Sequence, residues 1–220
     1  MPRRVRRTFA GRPGGMTIHV HDGDLPDGLD LGPVVAIDSE TMGLRLGRDR
    51  LCVVQLSDGG EDVHLVRFGA GDGYGAPNLK RLLTDPAVLK LFHFGRFDIA
   101  MFALNLGVTT APVYCTKIAS KLARTYTDRH GLKDLVRELL AKEISKQQQS
   151  SDWGGPVLSE AQLEYAASDV RHLHAMYAIL RDRLAREGRS EVAQACFDFL
   201  PTRARLDLAG WAEQDIFSHE

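Results

Sequence analysis

"VVAIDSET", residues 34–41, runs from four apolar side chains, Val34 to Ile37, straight into Asp38, with Glu40 two positions later. The apolar run reads as a buried strand. Residues i and i+2 of a strand point to the same face, so Asp38 and Glu40 share one face at the end of a segment that belongs in a core. Two carboxylates placed this way repel and raise one another's pKa. A divalent cation would relieve the conflict, and a small set of hard oxygen ligands suits Mg²⁺ or Mn²⁺. Taken alone, the pair also fits a solvated Asx turn at a strand end.

Outward from this stretch, short apolar runs at 16–20, 33–38, 51–57, 62–67 and 88–93 are separated by Gly- and Asp-rich turns, a strand-and-turn pattern. Helical patterns follow at 78–83, 96–107, 114–125 and 131–143, the second ending at Gly107 as a C-cap. The longest helix is predicted from Ser159, where Gln162 completes a capping box, to about Glu187. A last helix from Ser190 should stop near Pro201. Strands first and helices after predict an α/β fold, a mixed sheet flanked by helices, in a single domain over residues 16–220.

Two further acids stand in helices. Asp98, in "HFGRFDIAMF", sits just inside a helix that follows a strand, a common place for a charge that favours the helix dipole. Asp169, in "EYAASDVRHLHAMY", lies in mid-helix among Ala166, Ala167, Val170 and Leu173, with Tyr165 four residues before it on the same helical face. Aspartate is a poor helix former, so its presence there asks for a reason; a surface polar pair is the plain one.

The 220 residues are 44% hydrophobic, enough for one substantial core. No apolar run approaches the roughly 18 residues of a membrane span, and the first residues lack the apolar region of a secretory signal. Cys52, Cys115 and Cys196 form no CxxC pair and read as reduced thiols of a cytoplasmic protein. The net charge of −1 is unevenly spread: residues 1–15 hold five arginines and no acid, leaving 23 basic against 29 acidic residues elsewhere. An acidic body argues against a long nucleic-acid track and allows a local site. Residues 1–15 are expected to be a disordered basic extension, read either as a basic arm for nucleic acid or, the preferred reading, as lying ahead of a true start at Met16. "DGDLPDGLDLG" (22–32) fails as an EF-hand because Pro33 stands at its twelfth position, and "GAGDGYG" (69–75) lacks the Lys-Ser/Thr of a P-loop. His172 and His174, two apart on a helix, make a poor zinc pair.

Together, "DSE", "HFGRFD" and "YAASD" resemble the three motifs of the DEDD superfamily of 3′–5′ exonucleases. Tyr165, four before the last Asp, is similar to the tyrosine subclass, which includes ribonuclease D; the histidine subclass would place His where Glu164 stands. "RDRLCVVQLS", "VYCTKIASKLARTYTDRHGLK", "ISKQQQSSDW" and "CFDFLPTRARLDL" further resemble the compact nano-RNase C group. The resemblance implies a ribonuclease H-like exonuclease fold and a homo-octameric ring. It also implies hydrolysis of very short RNA oligomers, dinucleotides included, at a site with two Mg²⁺ or Mn²⁺ ions. It makes Asp38, Glu40, Asp98 and Asp169 the metal ligands, with Asp38 bridging, and gives Tyr165 the task of orienting the attacking water. A general exonuclease trimming longer RNA or DNA ends is the alternative enzyme. A catalytically inactive nucleic-acid-binding module is the alternative of another class, although a mere scaffold has no need of mutually repelling acids.

Substrate contacts are expected from several places. Leu44, soon after the first motif, could wedge against a base or pack in the core. His93 lies in the second motif. Lys117, Lys121 and Arg124 fall at i, i+4 and i+7, one helical stripe that reads equally as a phosphate site or a solvated basic face. The polar segment "SKQQQSSDW" offers Gln147, Gln148, Ser151 and Trp153.

Overall fold

The computed structural model describes residues 6–10 (backbone only), 17–145, 147–148 and 150–219. Seven strands form one mixed sheet: β1 (Arg6–Ala10), β2 (Thr17–Asp22), β3 (Val34–Thr41), β4 (Leu51–Ser57), β5 (Asp62–Arg67), β6 (Leu89–Phe92) and β7 (Val113–Cys115). Their order across the sheet is β1-β2-β5-β4-β3-β6-β7. The β1–β2, β5–β4 and β4–β3 pairs are antiparallel, while β2–β5, β3–β6 and β6–β7 are parallel. β4 is buried along its whole length, as a central strand covered on both faces should be.

Seven helices lie among the described residues: α1 (Pro77–Thr84), α2 (Arg96–Leu106), α3 (Thr116–Ala123), α4 (Leu132–Leu140), α5 (Glu160–Arg171), α6 (Leu173–Arg186) and α7 (Ser190–Leu206), with a π-helical turn over Asp207–Trp211. α2 is apolar nearly all round, with Ile99, Ala100, Met101, Phe102 and Leu106 buried between the sheet and α7. α5 packs across β3, β4 and β5, and α6 continues over β3 and β6. No helix among the described residues is long and apolar enough to cross a membrane.

Four expectations need correction. The disorder expected over 1–15 does not hold at residues 6–10, which form edge strand β1 by pairing antiparallel with β2; the other residues of that segment lie outside the described ones. The helix expected over 114–125 begins only at Thr116, because 113–115 pair with β6. The long helix from Ser159 keeps its capping box but breaks at His172. The break re-aims α6 so that His174 Nε2 donates to the Val34 carbonyl at 2.9 Å. The last helix passes through Pro201 to Leu206, held by the burial of Phe197, Leu200 and Ala204 on either side of the proline.

Candidate active site

β3 and β6 run parallel, so their C-terminal ends lie at one edge of the sheet. β3 presents Asp38 and Glu40 there. β6 hands over to α2 through only three residues, 93–95. Phe94 takes φ 68° in this turn, and at Gly95 an added Cβ would lie 2.6 Å from the Phe92 Cβ, so only glycine fits. The tight turn brings Asp98, in the first turn of α2, to the end of β3; only 4% of its surface is exposed. Strand alternation turns Ser39 away from its two acidic neighbours, and its hydroxyl donates to Asp98 Oδ1 at 2.5 Å. α5 lies over the sheet and points Tyr165 and Asp169 at the same place.

One oxygen from each of Asp38, Glu40 and Asp169 lies within 4.8 Å of the others. These three, with Asp98, Tyr165, Ser39, Leu44, His93, Phe94 and Lys117, line a cavity of about 580 Å³. The electrostatics register the crowding. Burial, followed by the charges of Asp98, Asp169 and Glu40, holds Asp38 well above the usual carboxylate range. Burial and then Asp169 and Asp98 push Glu40 up to about 9. Asp98 is pushed up to about 7 by burial, with the Ser39 hydrogen bonds opposing. Tyr165 is raised by burial and by the charges of Asp169, Glu40 and Asp38, and it is hydrogen-bonded to Asp169. A cluster of hard oxygen donors that can ionise together only against mutual repulsion fits a divalent cation.

The remaining expected residues divide. Leu44 is 82% exposed on the cavity wall, which removes the core-packing alternative. His93 Nδ1 donates to Thr116 Oγ1 at 2.9 Å, since that hydroxyl gives its own proton to the Phe92 carbonyl. Lys117 Nζ stands 4.4 Å from the centre of the Phe94 ring, a cation–π pair on the cavity wall. Gln147 and Gln148 border an adjoining cavity of about 310 Å³ that shares Ile144, Ser145 and Tyr165 with the first. Ser151 donates to Gln148 Oε1 and lines neither cavity. Lys121 is exposed away from both.

Two residues are corrected. Arg124 is fully buried: its guanidinium pairs with Glu138 and donates to Ser120 Oγ and the Arg129 carbonyl. α3 ends at Ala123, so Arg124 leaves the helical stripe and turns inward. Trp153 is 2% exposed, and its ring centre lies 6.0 Å from that of Tyr165; it buttresses the tyrosine instead of meeting solvent. Ser39 and Phe94 escaped sequence reasoning, although Ser39 stands between the two acids of the opening motif.

Residues 26–185 match a family model described as 3′–5′ exonuclease. Ribonuclease D of Granulibacter bethesdensis is 42% identical over 157 residues, covering 71% of this chain and 39% of that protein. Ribonuclease D of Acidiphilium cryptum is 41% identical over 165 residues, covering 75% and 41%. The chain thus spans about two fifths of the length of these curated relatives. Among solved structures, Brucella melitensis NrnC bound to pGG superposes with a TM-score of 0.90 at 57% identity, over 94% of this chain and 100% of that one. Brucella melitensis NrnC with bound Mg²⁺ gives 0.89 at 56% identity, over 93% and 100%. Escherichia coli RNase D gives 0.70 at 27% identity, over 79% and 45%.

Proposed function

This chain belongs to the 3′–5′ exonuclease family, on the ribonuclease D-like side of the DEDD superfamily, and from that premise we propose that it is a metal-dependent exoribonuclease hydrolysing very short RNA, dinucleotides included, to mononucleotides. The observation that carries this reading is the convergence of Asp38, Glu40 and Asp169 within 4.8 Å, from a strand and a helix more than a hundred residues apart. The similarity to an NrnC structure described as bound to pGG supports the short substrate.

In this reading Asp38, Glu40, Asp98 and Asp169 are the residues that would hold two divalent cations. Bound there, the cations supply Lewis acidity that acidifies the attacking water and neutralises charge on the leaving oxygen. The water oxygen bonds to phosphorus, the bond to the 3′ oxygen breaks, and the products are a nucleoside 5′-monophosphate and a new 3′ hydroxyl. Tyr165, kept a phenol at neutral pH by burial and its acidic neighbours, orients the water by hydrogen bonding and does not act as a bulk base. Trp153 against one side of its ring keeps it in place. Leu44 and Phe94 offer apolar surfaces to the bases, and Lys117 offers charge to a phosphate. Residues 16–220 form the exonuclease domain. The oligomeric ring is supported by the exposed apolar side chains Leu208, Trp211, Ile216 and Phe217 near the end of the chain.

Length-resolved product analysis on RNAs of two to about ten nucleotides and on duplex DNA, with Mg²⁺ and with chelator, tests the proposal. Fastest turnover on the dinucleotide, abolished by chelator, is the expected result. Preference for longer RNA or duplex DNA ends would replace it with the general exonuclease, and binding without any turnover would leave an inactive module.

A further inference from the structure

Gln55 sits in the middle of β4 and is wholly buried, and neither its amide nitrogen nor its amide oxygen has a hydrogen-bond partner. Buried polar groups are nearly always paired, and an unpaired one is unfavourable. The position suggests what the amide is for. In the β3–β4 register Gln55 stands directly opposite Asp38. Directly opposite residues share a face of the sheet, with Cβ atoms about 4.5–5.5 Å apart. Of its neighbours on that face, Val53 and Leu65 are apolar, and the Ser57 hydroxyl accepts from the Gly59 amide. Asp38 is the carboxylate that the strand pairing sets directly opposite the amide. Asp38 itself receives a hydrogen bond from the Ser39 backbone and none from a side chain among the described residues. Asp98, by contrast, is held by the Ser39 hydroxyl at 2.5 Å.

We propose that Gln55 is a positioning residue of the metal site: its Nε2 amide donates through one enclosed water to the Asp38 carboxylate and fixes the angle at which that carboxylate meets a divalent cation. Ligating carboxylates are in turn held by hydrogen bonds from groups behind them, and losing such a partner lowers metal affinity about 10- to 100-fold. The proposal rests on reading the acid cluster as a metal site, and its test separates the two.

Gln55→Met keeps the length and roughly the volume of the side chain while removing the amide. Mn²⁺ is titrated calorimetrically into the metal-stripped full chain, and the thermal midpoint is measured without metal. The variant should stay folded, with a metal-free midpoint close to that of wild type because methionine fills the same space, while its Mn²⁺ dissociation constant rises about 10- to 100-fold. A glutamine that merely fills space would leave the affinity alone, so a constant within about twofold of wild type overturns the inference. Wild-type protein that takes up no Mn²⁺ would instead overturn the metal-site reading beneath it. Gln55→Leu carries the same comparison should the methionine variant not fold. If neither folds, Gln55 supplies stability and the positioning role falls.

Discussion

Stripping divalent cations and raising the pH from 6.5 to 8 should destabilise this protein, the reverse of what salt-bridged carboxylates do. Glu40 is pushed up to about 9 and Asp98 to about 7, in each case chiefly by burial. Both groups hold protons more tightly in the folded chain than in the unfolded one, where their pKa values are about 4.3 and 3.9. Their contribution is fully present below the unfolded values and is lost as pH climbs through the folded ones. His64, His130 and His172 act oppositely. Burial lowers them, so stability gains from them as pH rises, a gain that tapers off about one unit above the unfolded value of about 6.5. Asp38, also raised by burial, adds to Glu40 across the window, while Lys90, lowered to about 8 by burial, opposes them only near its top. One group binding an extra proton in the folded state changes stability by about 1.4 kcal/mol per pH unit, hence about 2 kcal/mol across this window. Asp98 pulls in the same direction up to about 7. For a chain of this size that is a fall of roughly 4–8 °C in thermal midpoint. Excess Mg²⁺ should cancel it, because ionised ligands bind the metal better as pH rises and binding stabilises by mass action. Melts at pH 6.5, 7, 7.5 and 8, with chelator and with Mg²⁺, measure both curves, and Glu40→Gln should flatten the chelator curve. A chelator midpoint that holds level or rises in the wild type would refute the crowding of acids inferred from the geometry.

Asp38→Asn should cut nucleotide release to below about one thousandth, since several kcal/mol of Lewis-acid stabilisation go with the ligand; circular dichroism should be unchanged and the metal-free midpoint raised, as one member of a repelling set becomes neutral. Tyr165→Phe should lower kcat by about 10²–10⁴ with KM little moved, and steady-state kinetics showing an unchanged kcat would remove the hydroxyl from the mechanism. Arg124→Ala should lose about 3 kcal/mol in denaturant melts, the low end for a broken buried pair because Glu138 is 39% exposed. Its kcat/KM on a dinucleotide should stay at the wild-type value; a catalytic defect without a stability defect would return Arg124 to the substrate site. Affinity for a dinucleotide should fall with a log–log salt slope of only about −1, as one or two neutralised phosphates dictate, and a steep slope in filter binding would point to a longer track.

Local rules made the acids readable. Period-two alternation put Asp38 and Glu40 on one face, and the i, i+4 spacing put Tyr165 beside Asp169. The fold class followed from strands preceding helices. What stayed hidden was decided between residues far apart in the chain. Apolar periodicity runs through His172 without a mark, and the bend there belongs to His174 reaching the Val34 carbonyl, 140 positions away. Arg124 looks like the next step of a basic stripe until the helix stops one residue earlier and Glu138 receives it. Trp153, in a polar segment, reads as a surface indole, because nothing local announces that Tyr165 will lie 6.0 Å away.

Several residues that a purely stable fold would reject lie close together. Asp98 is 4% exposed and Asp169 9% exposed within helices, and Gln55 is fully buried in the central strand. Each would be better replaced by an apolar residue if packing alone were selected. Gln55 is paired with Asp38 across β3–β4, Asp98 is tied to Ser39 beside Asp38, and Asp169 meets Asp38 and Glu40 directly. Three of them meeting at Asp38 is what a fold looks like when stability is surrendered locally to place charge where a divalent cation can bind, and the Mn²⁺ affinity of Gln55→Met asks whether the buried amide serves that same end.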